Sequence, residues 1–217
     1  MKTSSQGLAE IASHEGIVTS RYKDSVGVWT VGIGHTASAG HPDPRFLHRN
    51  LSLKEVMDIF ARDILKFEVR VRKAFTTKLT QSQFDAAVSF DFNTGAIHRA
   101  SWVKQFNAGQ IKQARKSFMN WRKPKEIISR RQKECNLFFD GKYSSNGVVN
   151  VYAATKSGKV EWSKGRRMTL PIVSAQKLAA EPITHSSKKD RASLIAIVFA
   201  ALGSAIIVFW NKIQALF

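Results

Sequence analysis

The chain has 217 residues, a single cysteine and a formal net charge of +18 at pH 7. This length suffices for one domain with a substantial core and an appendage. Basic residues outnumber acidic ones by 24 to 13 in residues 1–143 and by 10 to 3 in the remainder, which favours polyanionic partners such as acidic envelope polymers, anionic lipid or nucleic acid. Cys135 alone excludes a disulfide within the chain and a cysteine-based metal site. Because no nucleic-acid-binding motif is present, we predict no nucleic-acid partner. We also predict no metal and no cofactor.

The first 36 residues predict a short helix followed by a hairpin. Apolar residues are spaced for one helical face over residues 7–14. Residues 16–36 are instead rich in glycine and β-branched residues, which is typical of a tightly turned β-hairpin. The N-terminus has no apolar stretch followed by a cleavage site, so no secretory signal is predicted.

Helices are predicted from residue 52 to about residue 139. Two capping boxes, Ser52 with Glu55 and Thr80 with Gln83, mark the first turns of two helices. The first of these helices is expected to run for about twenty residues, and the second to run toward Gly95. Shorter helices are expected at 101–106, 110–121 and 125–139. The predicted fold class is α+β, in which a long helix joins a small hairpin-containing lobe to a helical lobe.

After Tyr143 the sequence pattern changes from helical to strand-forming. Residues 144–173 predict a β-hairpin extension, with Val148–Tyr152 and Val160–Trp162 flanking a Lys-Ser-Gly-Lys turn. Residues 174–191 are typical of a solvated linker.

The predicted transmembrane helix covers residues 192–213. It contains 18 successive uncharged residues, SLIAIVFAALGSAIIVFW, with basic residues before them and a tryptophan and a lysine at their end. A buried helix or an amphipathic surface helix is the alternative, but the stretch has no polar face.

Two carboxylic acids flank the predicted hairpin. Glu15 ends the first helix, Asp24 lies at the start of the hairpin, and Thr30 lies on the hairpin itself. Hydrolysis of a glycosidic bond needs an acid to protonate the leaving oxygen and a carboxylate to activate water or attack the sugar. The spacing alone is weak support, because a Glu and an Asp nine residues apart are usually solvated charges.

The run from residue 14 to residue 36, HEGIVTSRYKDSVGVWTVGIGHT, resembles the active-site signature of the phage-type lysozymes, glycoside hydrolase family twenty-four. That pattern is Glu, eight residues, Asp or Cys, five residues, Thr, then Gly-x-Gly-His. The similarity continues through LTQSQFDAAVSFDFNTGA to Phe138. It implies a lysozyme-like catalytic domain over residues 1–143, with Glu15 as general acid, Asp24 as second carboxylate and Thr30 positioning the water.

The resemblance also implies a reaction and a location. The substrate would be the β-1,4 bond between N-acetylmuramic acid and N-acetylglucosamine of bacterial peptidoglycan, cut for host lysis. Three basic residues before the apolar stretch and one after it favour a cytoplasmic catalytic domain. The enzyme would then reach the wall once a partner such as a holin has permeabilised the cytoplasmic membrane. A lytic transglycosylase and a non-catalytic, membrane-anchored wall-binding protein are the alternatives.

Further residues receive roles from the same resemblance. His35 would pair with Asp63 and tie the hairpin to the long helix, or else act as a third catalytic group. Arg130 or Arg131 would reach Glu15 as a buried ion-pair partner, or the two would form a surface patch.

Three positions and the extension stay open. Tyr22 would line the sugar groove or pack, and Asn93 with Gly95 would shape the helix turn at the cleft floor or else contact the substrate. Residues 144–173 would bind wall glycans or anionic lipid, or pack on the helical lobe. Finally, Glu15 must remain protonated near neutral pH, which calls for an apolar pocket or a neighbouring negative charge.

Overall fold

The computed structural model describes residues 1–170. The helices of this part are α1 (Ser5–Glu15), α2 (Leu53–Ala74), α3 (Gln81–Thr94), α4 (Ser101–Asn107), α5 (Ile111–Phe118) and α6 (Ile128–Asp140). Its strands are β1 (Ile17–Lys23), β2 (Trp29–Gly32), β3 (His35–Thr36), β4 (Val148–Tyr152) and β5 (Arg166–Thr169). The α+β class is confirmed. The predicted linker 174–191 and membrane helix 192–213 lie outside the described residues, and no helix within 1–170 is long and apolar enough to cross a bilayer.

The five strands form one sheet in the order β3-β2-β1-β4-β5. β1 is antiparallel to β2 on one side and parallel to β4 on the other. The sheet therefore combines the predicted N-terminal hairpin with strands from residues 144–170. β1 is the central strand, so residues at its two ends are held from both sides.

The predicted pairing within residues 144–170 was wrong. The predicted turn at residues 156–159 is present: the amide of Thr155 donates to the carbonyl of Lys159 at 2.9 Å, and the amide of Glu161 donates to the carbonyl of Ala153 at 3.0 Å. β4 itself was expected to pair with Val160–Trp162 but pairs with β5. The intervening turn is tied to the N-terminal hairpin, because the amide of Lys23 donates to the carbonyl of Gly158 at 2.8 Å. After Val160 the chain makes a short 3-10 turn, which carries the next extended residues to the edge of β4.

The helical lobe follows the predicted caps. Ser52 and Glu55 form a complete capping box at the start of α2, and Thr80 and Gln83 form another at α3. α3 ends at Gly95, whose φ of +59° is the left-handed conformation typical of a helix C-terminus. Local side-chain chemistry therefore sets these helix boundaries.

The core of the helical lobe is an aromatic cluster around Trp102, which is fully buried. The rings of Phe90, Phe118 and Phe138 lie within 5.2 Å of the Trp102 ring, centroid to centroid. Cys135 is a free, buried thiol beside this cluster, and burial raises its pKa. The cluster packs α3, α4, α5 and α6 together into a rigid base for the site.

Helix α1 lies directly against α3 at Gly7. A Cβ atom at this position would be 2.4 Å from Cγ of Asp85, so only glycine allows this approach. Asp85 is buried, and it accepts hydrogen bonds from Ser4, Gln81 and Tyr143. This contact fixes the helix that carries Glu15 at its C-terminal end.

Candidate active site

Glu15 is the last residue of α1, and its side chain is 14% exposed. Its Oε1 accepts a hydrogen bond from Nη1 of Arg130 at 2.5 Å. Of the two arginines considered from the sequence, Arg130 is therefore the one that reaches Glu15. The neighbour that the structure supplies is a cation, whereas a negative charge or an apolar pocket was expected.

Arg130 belongs to a buried ionic network that crosses the helical lobe. Its Nε donates to Oε1 of Glu134 at 2.9 Å, and Arg131 donates to the other oxygen of the same carboxylate. Ser89 donates to Glu134 at 2.6 Å. Burial alone would raise the pKa of Glu134, but Arg131 and Arg130 hold it below its ordinary value. The charge of Arg130 is thus divided between Glu134 and Glu15.

Arg131 extends this network toward the end of α3. Its Nε donates to the carbonyl of Trp121 at 2.9 Å, and its Nη2 donates to Oδ1 of Asn93 at 2.6 Å. Its guanidinium lies 4.6 Å from the centre of the Phe90 ring. Asn93 therefore stabilises the network, and Gly95 serves as the helix cap.

Asp24 follows β1 directly and is 9% exposed. Its Oδ1 accepts hydrogen bonds from the amides of Val28 at 2.8 Å and Val26 at 3.0 Å, and its carbonyl accepts from the amide of Gly27. Its Oδ2 is buried and has no hydrogen-bond partner within residues 1–170. One oxygen therefore anchors the carboxylate to the hairpin turn, while the other can accept a proton or a hydrogen bond.

Thr30 lies on β2 and is 1% exposed. Its hydroxyl donates to the carbonyl of Val28 at 3.1 Å, the residue whose amide binds Asp24. The backbone amide and carbonyl of Val28 thus connect Thr30 to Asp24. Because the hydroxyl proton is engaged, the Thr30 oxygen is oriented to act as an acceptor.

Tyr22 lies opposite Thr30 in the pairing of β1 with β2 and is 3% exposed. Burial raises the pKa of its phenol, and the negative charges of Asp24 and Glu15 raise it further. Of its two predicted roles, lining the sugar groove or packing, Tyr22 therefore has the second: it packs with Val18 and Val160. It does so within electrostatic reach of both candidate catalytic carboxylates.

His35 lies on β3, and its side chain contacts Asp63 on α2. Its Nδ1 is 2.8 Å from Oδ2 of Asp63, and its Nε2 is 2.9 Å from the carbonyl oxygen of Pro42. Burial opposes protonation of the ring, but Asp63 outweighs it and raises the pKa of His35. The predicted contact with Asp63 is present, so the histidine ties the hairpin to the long helix.

Sequence reasoning missed two parts of this site. Glu134 and Ser89 were not predicted as partners of the arginines, although the spacing of Arg130 and Glu134 on one helix was a signal. The contact of residues 152–160 with β1 was also missed, because no local sequence pattern predicts it. Within residues 1–170, no three His, Cys, Asp or Glu side chains are grouped as a metal ion would require.

Comparison with known proteins identifies the family. The family model described as phage lysozyme matches residues 12–134, which include all three candidate catalytic residues. The endolysin of Bacillus phage B103 is 32% identical over 168 residues. That alignment covers 73% of this chain and 61% of the relative, so the chain spans less than two thirds of the relative's length.

Two solved structures are also similar. The endolysin of Escherichia coli O157:H7 phage FAHEc1 has a TM-score of 0.60 and 26% identity, covering 67% of this chain and 98% of its own. The muramidase domain of SpmX from Asticaccaulis excentricus has a TM-score of 0.54 and 29% identity, covering 63% and 97%. Together with the family match, which takes in more than half of the residues, these similarities show that the chain belongs to the phage lysozyme family.

Proposed function

We propose that this chain is a muramidase that hydrolyses the β-1,4 bond between N-acetylmuramic acid and N-acetylglucosamine of peptidoglycan, as an endolysin. Family membership and the names of the endolysin and muramidase relatives support this. The observation that carries it is that two carboxyl groups act on one buried side chain of β1: both Glu15 and Asp24 raise the pKa of Tyr22. The pairing of β1 with β2 is irregular between Val18 and Tyr22, so the strand does not hold the residues before and after it a full strand length apart. Oδ2 of Asp24 has no hydrogen-bond partner within residues 1–170.

In the proposed reaction each of the three residues has one task. Glu15 donates a proton to the leaving glycosidic oxygen, from Oε2, because Oε1 is held by Arg130. Asp24 assists the attack of water through Oδ2. The Thr30 oxygen orients that water, since its own proton is bound by Val28. Arg130 holds the acid in place and does not itself transfer a proton.

The test compares Glu15→Gln with Glu126→Gln in the full chain. Both variants replace a carboxylate by an amide, but Glu126 is exposed on the turn before α6. A positioned general acid contributes about 10²–10⁴-fold, so Glu15→Gln should clear purified cell walls at least about a hundredfold more slowly. Glu126→Gln should clear them at the wild-type rate. Equal rates for the two variants, or no clearing by the wild-type protein, would disprove the proposal.

The products separate hydrolysis from transglycosylation. A hydrolase releases muropeptides with reducing ends, whereas a lytic transglycosylase leaves anhydro ends and needs only one acid. Mass spectrometry of the released fragments should therefore show reducing ends. Asp24→Asn should also abolish clearing. Hydrolysis needs this second carboxylate to assist the attack of water, whereas transglycosylation has no such step.

We further propose that the enzyme is anchored at the inner face of the cytoplasmic membrane and reaches the wall after a holin permeabilises that membrane. The support is the sequence of residues 192–213 and the basic residues that precede it. In intact spheroplasts the catalytic domain should resist protease added outside. Digestion of that domain without prior permeabilisation would contradict this topology.

A further inference from the structure

We propose that residues 144–170 position the catalytic strand β1 and so fix Asp24 relative to Glu15, with Gly158 as the positioning residue. These residues, called here the 144–170 segment, lie outside residues 12–134, the part of the chain that the phage lysozyme family model matches. The inference rests on the proposed function, since it assigns both carboxyl groups to the same reaction.

The 144–170 segment contacts β1 along the whole strand, from Ile17 to Lys23. The parallel pairing with β4 aligns Ile17 with Val151 at the start of β1. In the middle of the strand, the amide of Ala154 donates to Oγ of Ser20 at 2.6 Å. At its end, the amide of Lys23 donates to the carbonyl of Gly158 at 2.8 Å. The last bond holds the residue that immediately precedes Asp24.

The segment is also fixed to the helix that carries Glu15. The carboxylate of Glu10, which is 1% exposed on α1, accepts hydrogen bonds from the amides of Ser144 at 2.9 Å and Ser145 at 2.7 Å. One continuous piece of chain is thus bound to α1 at its start and to the catalytic hairpin further on. These are the two elements that supply the carboxyl groups.

Gly158 leaves no room for a side chain against the catalytic hairpin. A Cβ atom at Gly158 would lie 2.8 Å from Cζ3 of Trp29 and 3.1 Å from Cγ of Lys23. Trp29 and Lys23 face each other in the pairing of β1 with β2, so they close the turn that holds Asp24. Glycine lets the 144–170 segment lie directly against this pair.

The side chains of the segment cover Tyr22. Tyr152, Ala154 and Val160 pack with Val18 and Tyr22 in a small cluster separate from the main core. Tyr22 in turn lies opposite Thr30. The segment therefore contacts the β1–β2 pair, which leads to Asp24 and contains Thr30, through side chains as well as through backbone hydrogen bonds.

The test is Gly158→Ala in the full chain, with Gly109→Ala as the matched control. Both glycines have positive φ, +92° and +74°, so alanine strains the backbone at each. Nothing lies within 4 Å of a Cβ atom at Gly109, whereas at Gly158 it meets Trp29. Initial rates at varied wall concentration give kcat and KM, and thermal unfolding gives Tm.

Gly158→Ala should lower kcat by about tenfold or more, because a displacement of about 1 Å at a catalytic group can cost on the order of a hundredfold. KM should stay within about twofold of wild type, since substrate binding is unchanged. Gly109→Ala should keep the wild-type kcat. Gly158→Ala should lose more Tm than Gly109→Ala, because its methyl group also meets Trp29, so both kcat values are measured at a temperature well below the lower Tm. Equal kcat values for the two variants would overturn the proposal.

Rescue distinguishes positioning from general destabilisation. Trp29→Phe removes the outer ring atoms that the new methyl group meets, so Gly158→Ala with Trp29→Phe should recover most of the kcat of Trp29→Phe alone. A loss that persists in the double variant would overturn the proposal. If Gly158→Ala does not fold, Ser20→Ala breaks the link to Ala154 and should lower kcat about threefold. A Ser20→Ala kcat equal to wild type would then count against it.

The outcomes separate this inference from the proposed function. If wild-type protein clears walls and Glu15→Gln does not, the proposed function stands whatever Gly158→Ala does. A fully active Gly158→Ala then refutes the positioning role alone. A wild-type protein that clears no wall refutes the proposed function and this inference with it.

Discussion

Arg130 is shared by two carboxylates, Glu15 and Glu134, and is almost completely buried. Arg130→Met would remove this shared cation and leave Arg131 as the arginine that pairs with Glu134. Because Glu134 keeps Arg131 and Ser89 and Glu15 is 14% exposed, the free energy of unfolding should fall by about 1–3 kcal/mol. Chemical denaturation measures this fall. Arg122→Met, at an exposed arginine, should change it by less than about 0.5 kcal/mol, and a comparable loss there would contradict the prediction.

His35 makes stability depend on pH. Its pKa is raised in the folded protein because Asp63 and the Pro42 carbonyl favour the protonated ring. The proton is therefore bound more tightly in the folded state. The stability this contributes is complete below the unfolded pKa of about 6.5 and is lost as the pH rises through the folded pKa.

The measurement is the free energy of unfolding between about pH 5.5 and 8.5. Across this window the stability should fall, by about 1.4 kcal/mol for each unit by which the pKa of His35 is raised. His35→Gln should flatten this fall. His98→Gln, at an exposed histidine, should leave the curve like that of wild type, and a wild-type slope in His35→Gln would exclude this histidine as the cause.

Single residues differ in how far the sequence could predict them. The His35 contact with Asp63 and the arginine beside Glu15 were predictable because the family resemblance carries them. The role of Glu134 was not, because an Arg and a Glu four residues apart on a helix usually form an exposed pair. Only the packing of α6 against α3 turns that pair inward.

Helix α1 and helix α3 meet at Gly7, and this contact gives a prediction for the two elements. Alanine is normally favoured over glycine within a helix by about 1 kcal/mol. Here the methyl group would meet Asp85, whose side chain is fixed by Ser4 and Tyr143. Gly7→Ala should therefore lower the free energy of unfolding by about 1–3 kcal/mol. Gln6→Ala, on the exposed face of α1, should not lower it, and a stabilised Gly7→Ala would show that Asp85 yields.

Elements that depend on local chemistry were predicted well. The first turns of α2 and α3 follow from their capping boxes, and the end of α3 follows from Gly95. The pairing of β1 with β4 joins residues more than 130 positions apart, and no turn signal specifies it. The hairpin prediction failed beyond its turn, because the 3-10 turn at Trp162–Lys164 interrupts the returning chain and β5 takes the place beside β4.

The whole molecule carries a net charge of +18, and its proposed substrate bears acidic peptides. A field of this size attracts a polyanion and raises its local concentration, but salt screens it. The Debye length falls from about 30 Å at 0.01 M salt to about 8 Å at 0.15 M. The rate of wall clearing at low wall concentration should therefore fall at least severalfold over this range, while kcat at saturation should change little.

The control for this last prediction changes the substrate and leaves the protein intact. Walls whose peptide carboxylates have been converted to amides keep the same glycan bonds but lose most of their negative charge. Clearing of these walls should be slower at low salt and nearly independent of salt. If amidated and native walls show the same salt dependence, the prediction is wrong and salt acts on the enzyme and not on its attraction to the wall. The Tm of the enzyme should then differ between the two salt concentrations.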